Sequence, residues 1–401
     1  MRFTYFLCFF LFSQALSAQI IFEKTLSEAF AKAKREQKLV FIKYYNSDCP
    51  VCQNLEVYLS QPELSNFYNQ NFVSYGINTK NNLEEDKKFL QEANLHFTSV
   101  PFLLFFDTDK KFLHYSHIQL NTNFLFQVAQ NALTPQERTI NLENKYKAGD
   151  RSIRTLYAYN NFLQVQKKDD LARIVAKDLY DNFPKTELAT KKSFIITKDC
   201  VTDVDNGFFQ FWIENIDKAT SFQTIEETKN KLGEIITKSI YYPNRPAWSL
   251  EKIAKVKSYI LKTELSKNPD NFFWQEESKI LIEQKREKEA LELGKKIFDA
   301  ETELASKLFT LQHFAELCKE KTSIQILQDW LKTLQIANAE AQEQADYFYV
   351  ELVCLKKLGN KKLFNEAYQK AKAYYQKNNL DTKSIDALLQ SKKQYRVVVK
   401  M

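Results

Sequence analysis

The sequence predicts an α/β domain built on a mixed sheet, followed by a long and mostly α-helical region. Short apolar stretches alternate with amphipathic ones between residues 25 and 133, and they end in two strands joined by a tight turn. From residue 136 onward, apolar residues recur at helical spacing. Turn-forming residues are scarce: 6 Gly and 8 Pro among 401 residues disfavour a loop-rich β protein.

Local signals set the elements of the first domain. Thr25 or Ser27 is a suitable N-cap for a first helix that reaches Gln37. Apolar runs predict the strands, and capping residues or prolines bound the helices between them. The remaining predicted elements are strands over 39–45, 72–78, 101–106 and 112–115, helices over 49–59, 82–93 and 121–132, and a short helical turn over 62–69.

Beyond residue 136 the predicted helices form pairs joined by short breaks. Unit spacings of about 30–40 residues favour a solenoid of tetratricopeptide-like hairpins or an irregular bundle. The break Pro-Asn-Arg-Pro at 243–246 is a candidate division into two helical subdomains. The clearest predicted pairs are 152–166 with 171–183, 272–285 with 288–300, and 346–358 with 361–378.

The first 18 residues predict a secretory signal peptide. Arg2 gives a basic start, residues 3–12 are apolar, and residues 15–18 form a small-residue cleavage site. Cys8 follows Leu7 and lacks the small residue that precedes a lipid-attachment cysteine. The predicted domains are therefore 1–18, 19–135 and 136–401, in a protein that is periplasmic or secreted. An uncleaved N-terminal anchor is the open alternative. No later stretch reaches the ~20 apolar residues of a membrane span.

Charge and composition narrow the expected partners. The net charge of +7 comes from 57 basic and 50 acidic residues spread along the chain, without a dense basic block. This distribution disfavours nucleic acid binding and favours a solvated surface of mixed charge. The region from residue 136 shows no paired carboxylates and no phosphate-binding glycine loop, so the chemistry is expected in the first domain, without a cofactor. The many aromatic residues of the helical region predict core packing, with partner binding on a concave face as the functional alternative.

Cleavage after residue 18 leaves five cysteines: Cys49, Cys52, Cys200, Cys318 and Cys354. An odd number in an exported chain leaves at least one thiol unpaired or paired in trans. The last three lie among apolar neighbours in helical patterns, so they are predicted to be buried free thiols. A disulfide among those three is left open.

The pattern Cys49-Pro50-Val51-Cys52 follows a predicted strand and opens a predicted helix. A helix N-terminus presents unpaired N–H groups and the positive end of the helix dipole, and both favour a thiolate at the first sulfur. The second thiol lies one turn away and can attack a mixed disulfide from within the molecule. The pattern therefore predicts thiol–disulfide chemistry.

Two other interpretations of the cysteine pair are open. A zinc site would need two more ligands, yet the chain has no second Cys-x-x-Cys, and the nearby imidazoles are His96, His114 and His117. A static structural disulfide is the other alternative. Export favours a redox-active pair, since disulfide exchange is available outside the cytosol.

The cysteine pair is followed by a set of residues in a recognisable order: Leu55, Glu56, Pro62, Glu63, Asn71, Phe72 and Val73. On these residues together with Cys49 and Cys52, residues 25–133 resemble the thioredoxin-fold family, and most closely an exported thioredoxin-like branch. The resemblance implies that Cys49 attacks and Cys52 resolves the mixed disulfide. It further implies that Val100-Pro101 supplies a cis-proline, which presents a backbone edge to an extended substrate; an ordinary strand-start proline is the alternative.

Two positions depart from the family pattern. Asp48 stands where thioredoxins usually place Trp, and Lys43 stands where they bury an acid six residues before the first cysteine. A charged Lys43 would favour thiolate, whereas Asp48 would oppose it by like-charge repulsion. Lys43 and Asp48 are therefore expected to tune the thiols, or to offset one another as a pair.

The sequence thus predicts an exported thiol–disulfide oxidoreductase, whose partners are protein thiols or disulfides and a redox partner protein. The helical region is expected to serve docking. The opposing hypothesis is a non-catalytic scaffold, in which the helical region carries the function by binding another protein.

Overall fold

The computed structural model describes residues 19–81 and 83–390. The predicted signal peptide, Cys8 and Asn82 lie outside the described residues. The chain divides into two compact units, Met1–Phe222 and Gln223–Met401. The domain boundaries predicted after residue 135 and near residues 243–246 stay predictions.

A mixed four-stranded sheet forms the centre of the first unit. Its strands are β1 (Leu39–Tyr45), β2 (Phe72–Asn78), β3 (Phe102–Phe106) and β4 (Phe112–His117), in the order β2-β1-β3-β4. Strand β1 is parallel to β2 and antiparallel to β3, which in turn is antiparallel to β4. The predicted tight turn between β3 and β4 is confirmed: the Asp107 carboxylate accepts hydrogen bonds from the N–H groups of Asp109 (3.0 Å) and Lys111 (2.9 Å).

Helices cover both faces of this sheet, as the alternation of elements predicts. On one face the helices Leu26–Glu36 and Glu84–Glu92 pack against Val40 and Ile42. On the other face the helices Pro50–Leu59, Pro62–Asn71 and Thr122–Leu133 pack against Phe41 and Phe105. The helical turn expected over 62–69 is longer and reaches Asn71. The five helices are α1 (Leu26–Glu36), α2 (Pro50–Leu59), α3 (Pro62–Asn71), α4 (Glu84–Glu92) and α5 (Thr122–Leu133).

The helices that follow residue 135 begin by completing the core of this sheet. The Phe162 ring stacks on Phe112, with ring centroids 5.5 Å apart, and also contacts Tyr115. The His96 N–H donates to the Val165 carbonyl at 2.9 Å. The first unit therefore contains α6 (Leu142–Lys147), α7 (Ile153–Val165), α8 (Asp169–Asn182), α9 (Lys191–Cys200) and α10 (Gly207–Glu214).

The described part of the second unit consists of helices and their connections. The pairs predicted over 272–300 and 346–378 are confirmed as hairpins: Trp274–Glu283 packs with Glu287–Ala300, and Ala341–Leu358 packs with Lys361–Lys377. Gly359 joins the second pair with φ +79, a left-handed conformation that suits glycine. The helices are α11 (Ile225–Ile240), α12 (Leu250–Lys262), α13 (Trp274–Glu283), α14 (Glu287–Ala300), α15 (Leu304–Leu317), α16 (Lys321–Lys332), α17 (Ala341–Leu358), α18 (Lys361–Lys377) and α19 (Lys383–Gln390).

Among the described residues, no helix is long and apolar enough to cross a membrane.

Candidate functional site: a cysteine pair at a helix N-terminus

The two cysteines lie where strand β1 gives way to helix α2. Cys49 is the N-cap of α2 with an extended backbone, and its carbonyl accepts from the Gln53 N–H at 3.0 Å. Pro50 takes the first helical position, where the missing N–H costs nothing because that group has no partner within the helix. The sequence thus places the Cys49 side chain beside the unpaired N–H groups of the first turn.

The outer thiol, Cys49, is partly exposed and free. The Cys52 thiol, as a hydrogen-bond donor, and the backbone N–H groups of Cys52 and Val51 favour the thiolate form of Cys49, although its sulfur makes no capping hydrogen bond to the helix. These interactions lower the pKa of Cys49 from its ordinary value. Desolvation acts in the opposite direction but is outweighed.

The inner thiol, Cys52, is free and only 2% exposed. Burial raises the pKa of Cys52 to about 11, and the interaction with Cys49 adds to the increase. The Asn46 N–H and the Lys43 ammonium act in the opposite direction. The pair is therefore asymmetric: Cys49 ionises first, while Cys52 stays protonated and donates to it.

Lys43 lies beneath this pair, on the face of β1 that α2 covers. Lys43 is only 5% exposed. Its ammonium contacts the Glu56 carboxylate and lies 4.1 Å from the centroid of the Tyr45 ring. Glu56 follows Cys52 by four residues and so shares its face of α2. The sequence prediction gave Glu56 no part in the site. The signals that could have found it are this spacing and the alternation of β1, which sends Lys43 to the α2 side.

Asp48 faces solvent and pairs with Lys80. Its carboxylate lies 2.9 Å from the Lys80 ammonium, and both side chains are more than half exposed. The structure therefore gives Lys43 and Asp48 different partners, Glu56 and Lys80, rather than each other. An exposed pair of this kind contributes little to stability, about 0–1 kcal/mol.

The Val100-Pro101 bond is cis, as predicted. Phe102, the next residue, pairs with Tyr44 of β1. Because β3 runs antiparallel to β1, the start of β3 lies at the end of β1 that leads to Cys49. The structure thus brings Pro101 and Cys49 to the same end of the sheet, with Pro101 buried and Val100 half-buried.

His117 reaches this end of the sheet too, which the sequence prediction did not foresee. It pairs with Phe102 across the β3–β4 ladder, and the two rings lie 4.7 Å apart. Desolvation lowers the pKa of His117, whereas Asp199 acts to raise it. His114 is far more enclosed and lies 2.8 Å from the Thr139 hydroxyl, so it serves packing.

Cys200, Cys318 and Cys354 are free and buried, which confirms the prediction for them. Within residues 19–81 and 83–390, no group of three or more His, Cys, Asp or Glu side chains is arranged to hold a metal ion. Comparisons of the chain with protein-family models, with curated proteins and with solved structures returned no match.

Proposed function

We propose that this protein is an exported thiol–disulfide oxidoreductase whose first domain is thioredoxin-like. The observation that carries the proposal is the asymmetry of the two thiols. Cys49 is accessible, with a lowered pKa, while Cys52 is buried with a pKa of about 11 and donates a hydrogen bond to the Cys49 sulfur. Nucleophilic attack and internal resolution require this division of roles.

The order of the strands supports a thioredoxin-like domain. Its central strand β1 leads into the cysteine pair, with a parallel neighbour on one side and an antiparallel hairpin on the other. Pro101 at the same end of the sheet supports a groove for an extended substrate, bordered by Val100 and Pro101.

In the reductive direction, the Cys49 thiolate attacks one sulfur of a substrate disulfide. A bond forms between Cys49 and that sulfur as the substrate S–S bond breaks, and the released substrate thiolate takes a proton from water. Cys52 then gives its proton to water and attacks the Cys49 sulfur. The Cys49–Cys52 disulfide forms, and the second substrate thiolate leaves.

Two electrons move from the pair to the substrate in this sequence. A dithiol on a redox partner protein returns them by the same exchange and resets the pair. Run in reverse, the same steps oxidise a substrate dithiol. The partners are therefore proteins that carry thiols or disulfides.

Lys43 acts on the resolving thiol. Its ammonium favours the ionised form of Cys52, so it assists the step in which Cys52 attacks. Glu56 holds that ammonium in place and neutralises it while Cys52 is protonated. Lys43 and Glu56 are positioning residues, since neither needs to touch the substrate.

A second candidate function is a scaffold that binds another protein through its helices without thiol turnover. The observation that favours it is the Lys43–Glu56 ion pair beneath Cys52, where the family that the chain resembles places a single acid.

Trapping separates the two functions. In a Cys52→Ser variant the second step is blocked, so Cys49 should stay linked to its substrates. Non-reducing electrophoresis and mass spectrometry of the exported fraction should recover these adducts, and dithiothreitol should release them. The matched control is Cys200→Ser, which leaves the pair intact and should trap nothing. Absence of adducts, with Cys49 found as a free thiol, would establish the scaffold instead.

A further inference from the structure

A surface cleft in the second unit lies between the starts of helices α13 and α15. Its volume is about 370 Å³, near the lower end of the size range of small-ligand sites, roughly 300–1,000 Å³. Two aromatic rings, Trp274 and Phe309, form part of its wall, with centroids 6.0 Å apart and nearly perpendicular planes. The full lining is Trp274, Gln275, Glu301, Ala305, Ser306, Phe309 and Thr310.

The polar side chains of the cleft are unpaired. Among the described residues, the side chains of Gln275, Glu301, Ser306 and Thr310 have no hydrogen-bond or ion-pair partner. Thr310 carries the most weight because it is only 1% exposed and yet lines the cleft. Its hydroxyl has no partner within the described residues, and the cleft is where a ligand can reach it.

The cleft carries charge of both signs, so it favours neither an anion nor a cation. Glu301 is the one charged side chain of the lining and would repel an anion. The first turns of α13 and α15 also meet the cleft, and neither N-cap side chain accepts from their N–H groups. These positive helix ends oppose a cation. His313, which contacts Trp274, adds no charge near neutral pH because burial lowers its pKa to about 4.

We propose that this cleft binds a neutral carbohydrate. The hydroxyl groups of a pyranose both donate and accept hydrogen bonds, so they match the Glu301 carboxylate and the free helix N–H groups together. Its C–H faces pack on the apolar surfaces of Trp274 and Phe309. Thr310 bonds one hydroxyl at the base of the cleft. This site is independent of the thiol chemistry and would stand if the proposed function failed.

Saturation-transfer NMR on the full chain tests the proposal with four probes: the methyl β-glycosides of glucose, galactose, mannose and N-acetylglucosamine. At least one should show saturation on the ring protons. Phe309→Ala and Glu301→Gln should abolish that signal. The matched controls, Tyr241→Ala for an exposed aromatic ring outside the cleft and Glu303→Gln for a neighbouring carboxylate, should retain it.

Two results would overturn the proposal. One is the absence of saturation on all four glycosides with the folded chain. The other is an equal loss of signal in Phe309→Ala and Tyr241→Ala, which would mean non-specific aromatic contact. Circular dichroism of each variant separates loss of binding from loss of fold. A further arm compares the best glycoside with the same sugar attached to a short peptide. A stronger signal from the peptide assigns the ligand to glycosylated protein, and equal signals assign it to free saccharide.

Discussion

Cys49 of the first unit and the two cysteines of the second unit share a side chain but differ in position, exposure and pKa. Cys49 stands at the N-terminus of α2, partly exposed, with a lowered pKa. Cys318 is the C-cap of α15 and Cys354 lies inside α17, and burial raises the pKa of both to about 12. Helix polarity and access, rather than residue type, separate the thiol with a lowered pKa from those with a raised pKa.

A positive charge also lies near the two thiols of the second unit. The Lys357 ammonium lies close to Cys318, where it donates to the Cys318 carbonyl at 2.8 Å, and it lowers the pKa of both second-unit thiols. Desolvation still outweighs it at both sites. A nearby positive charge is therefore insufficient for activation unless the thiol also reaches the surface or a helix N-terminus.

The largest expected effect is loss of exchange when Cys49 is removed. Cys49→Ser should abolish reduction of a model protein disulfide, because the attacking sulfur is gone. Cys318→Ser should leave the rate unchanged, since that thiol is buried and protonated. The measurement is the rate of disulfide loss at neutral pH. Equal rates in Cys49→Ser and the parent chain would contradict the role of Cys49 as the attacking thiol.

The next largest effect is expected on the stability of the fold when the Glu287 carboxylate is removed. Glu287 is only 4% exposed. Its carboxylate accepts hydrogen bonds from the N–H groups of Lys319 (2.7 Å) and Glu320 (3.1 Å) and from the Cys318 thiol. Glu287→Ala should lower the free energy of unfolding by about 1–3 kcal/mol, since it leaves the Lys319 and Glu320 N–H groups and the buried Cys318 thiol without their acceptor. Glu292→Ala, an exposed change on the same helix, is the control. Equal losses of unfolding free energy in the two variants, measured by urea denaturation, would contradict this role of the Glu287 carboxylate.

Parts of the fold and of the candidate site could be predicted from local sequence. Strands β1 and β2 begin and end as predicted because their apolar runs are bounded by polar residues. Thr25 forms the expected N-cap and is joined in a capping box by Glu28. The placement of Cys49 and Cys52 at a helix start followed from Pro50 and the strand before it.

The features that could not be predicted depend on contacts between segments that are distant in the sequence. Phe162 completes a face of the sheet although it lies after the predicted boundary, because its helical pattern does not specify the surface it covers. Glu56 pairs with Lys43 only once strand and helix are stacked. His117 reaches the cysteine end of the sheet through the pairing of β3 with β4.

A change at Cys52 tests whether its thiol activates Cys49. Cys52→Ala removes the hydrogen bond to the Cys49 sulfur, so the pKa of Cys49 should rise. The midpoint of iodoacetamide alkylation of Cys49 should therefore move to higher pH, with slower labelling at neutral pH. Cys52→Ser is the matched control because its hydroxyl can still donate, and it should show the smaller shift. Identical profiles for the two variants would assign the activation to the helix N–H groups alone.

The smallest expected effect belongs to Lys43, because it acts on the second thiol and through space. Lys43→Met removes the charge that lowers the pKa of Cys52, so the resolving attack should slow while the first attack by Cys49 keeps its rate. Mixed disulfides should then persist longer after mixing with a substrate disulfide, as measured by acid quench and mass spectrometry. Lys80→Met, which removes only the exposed partner of Asp48, should leave both steps unchanged. An equal slowing of both steps in Lys43→Met would instead point to a general loss of structure around β1, because a charge acting on Cys52 alone has no means to slow the attack by Cys49.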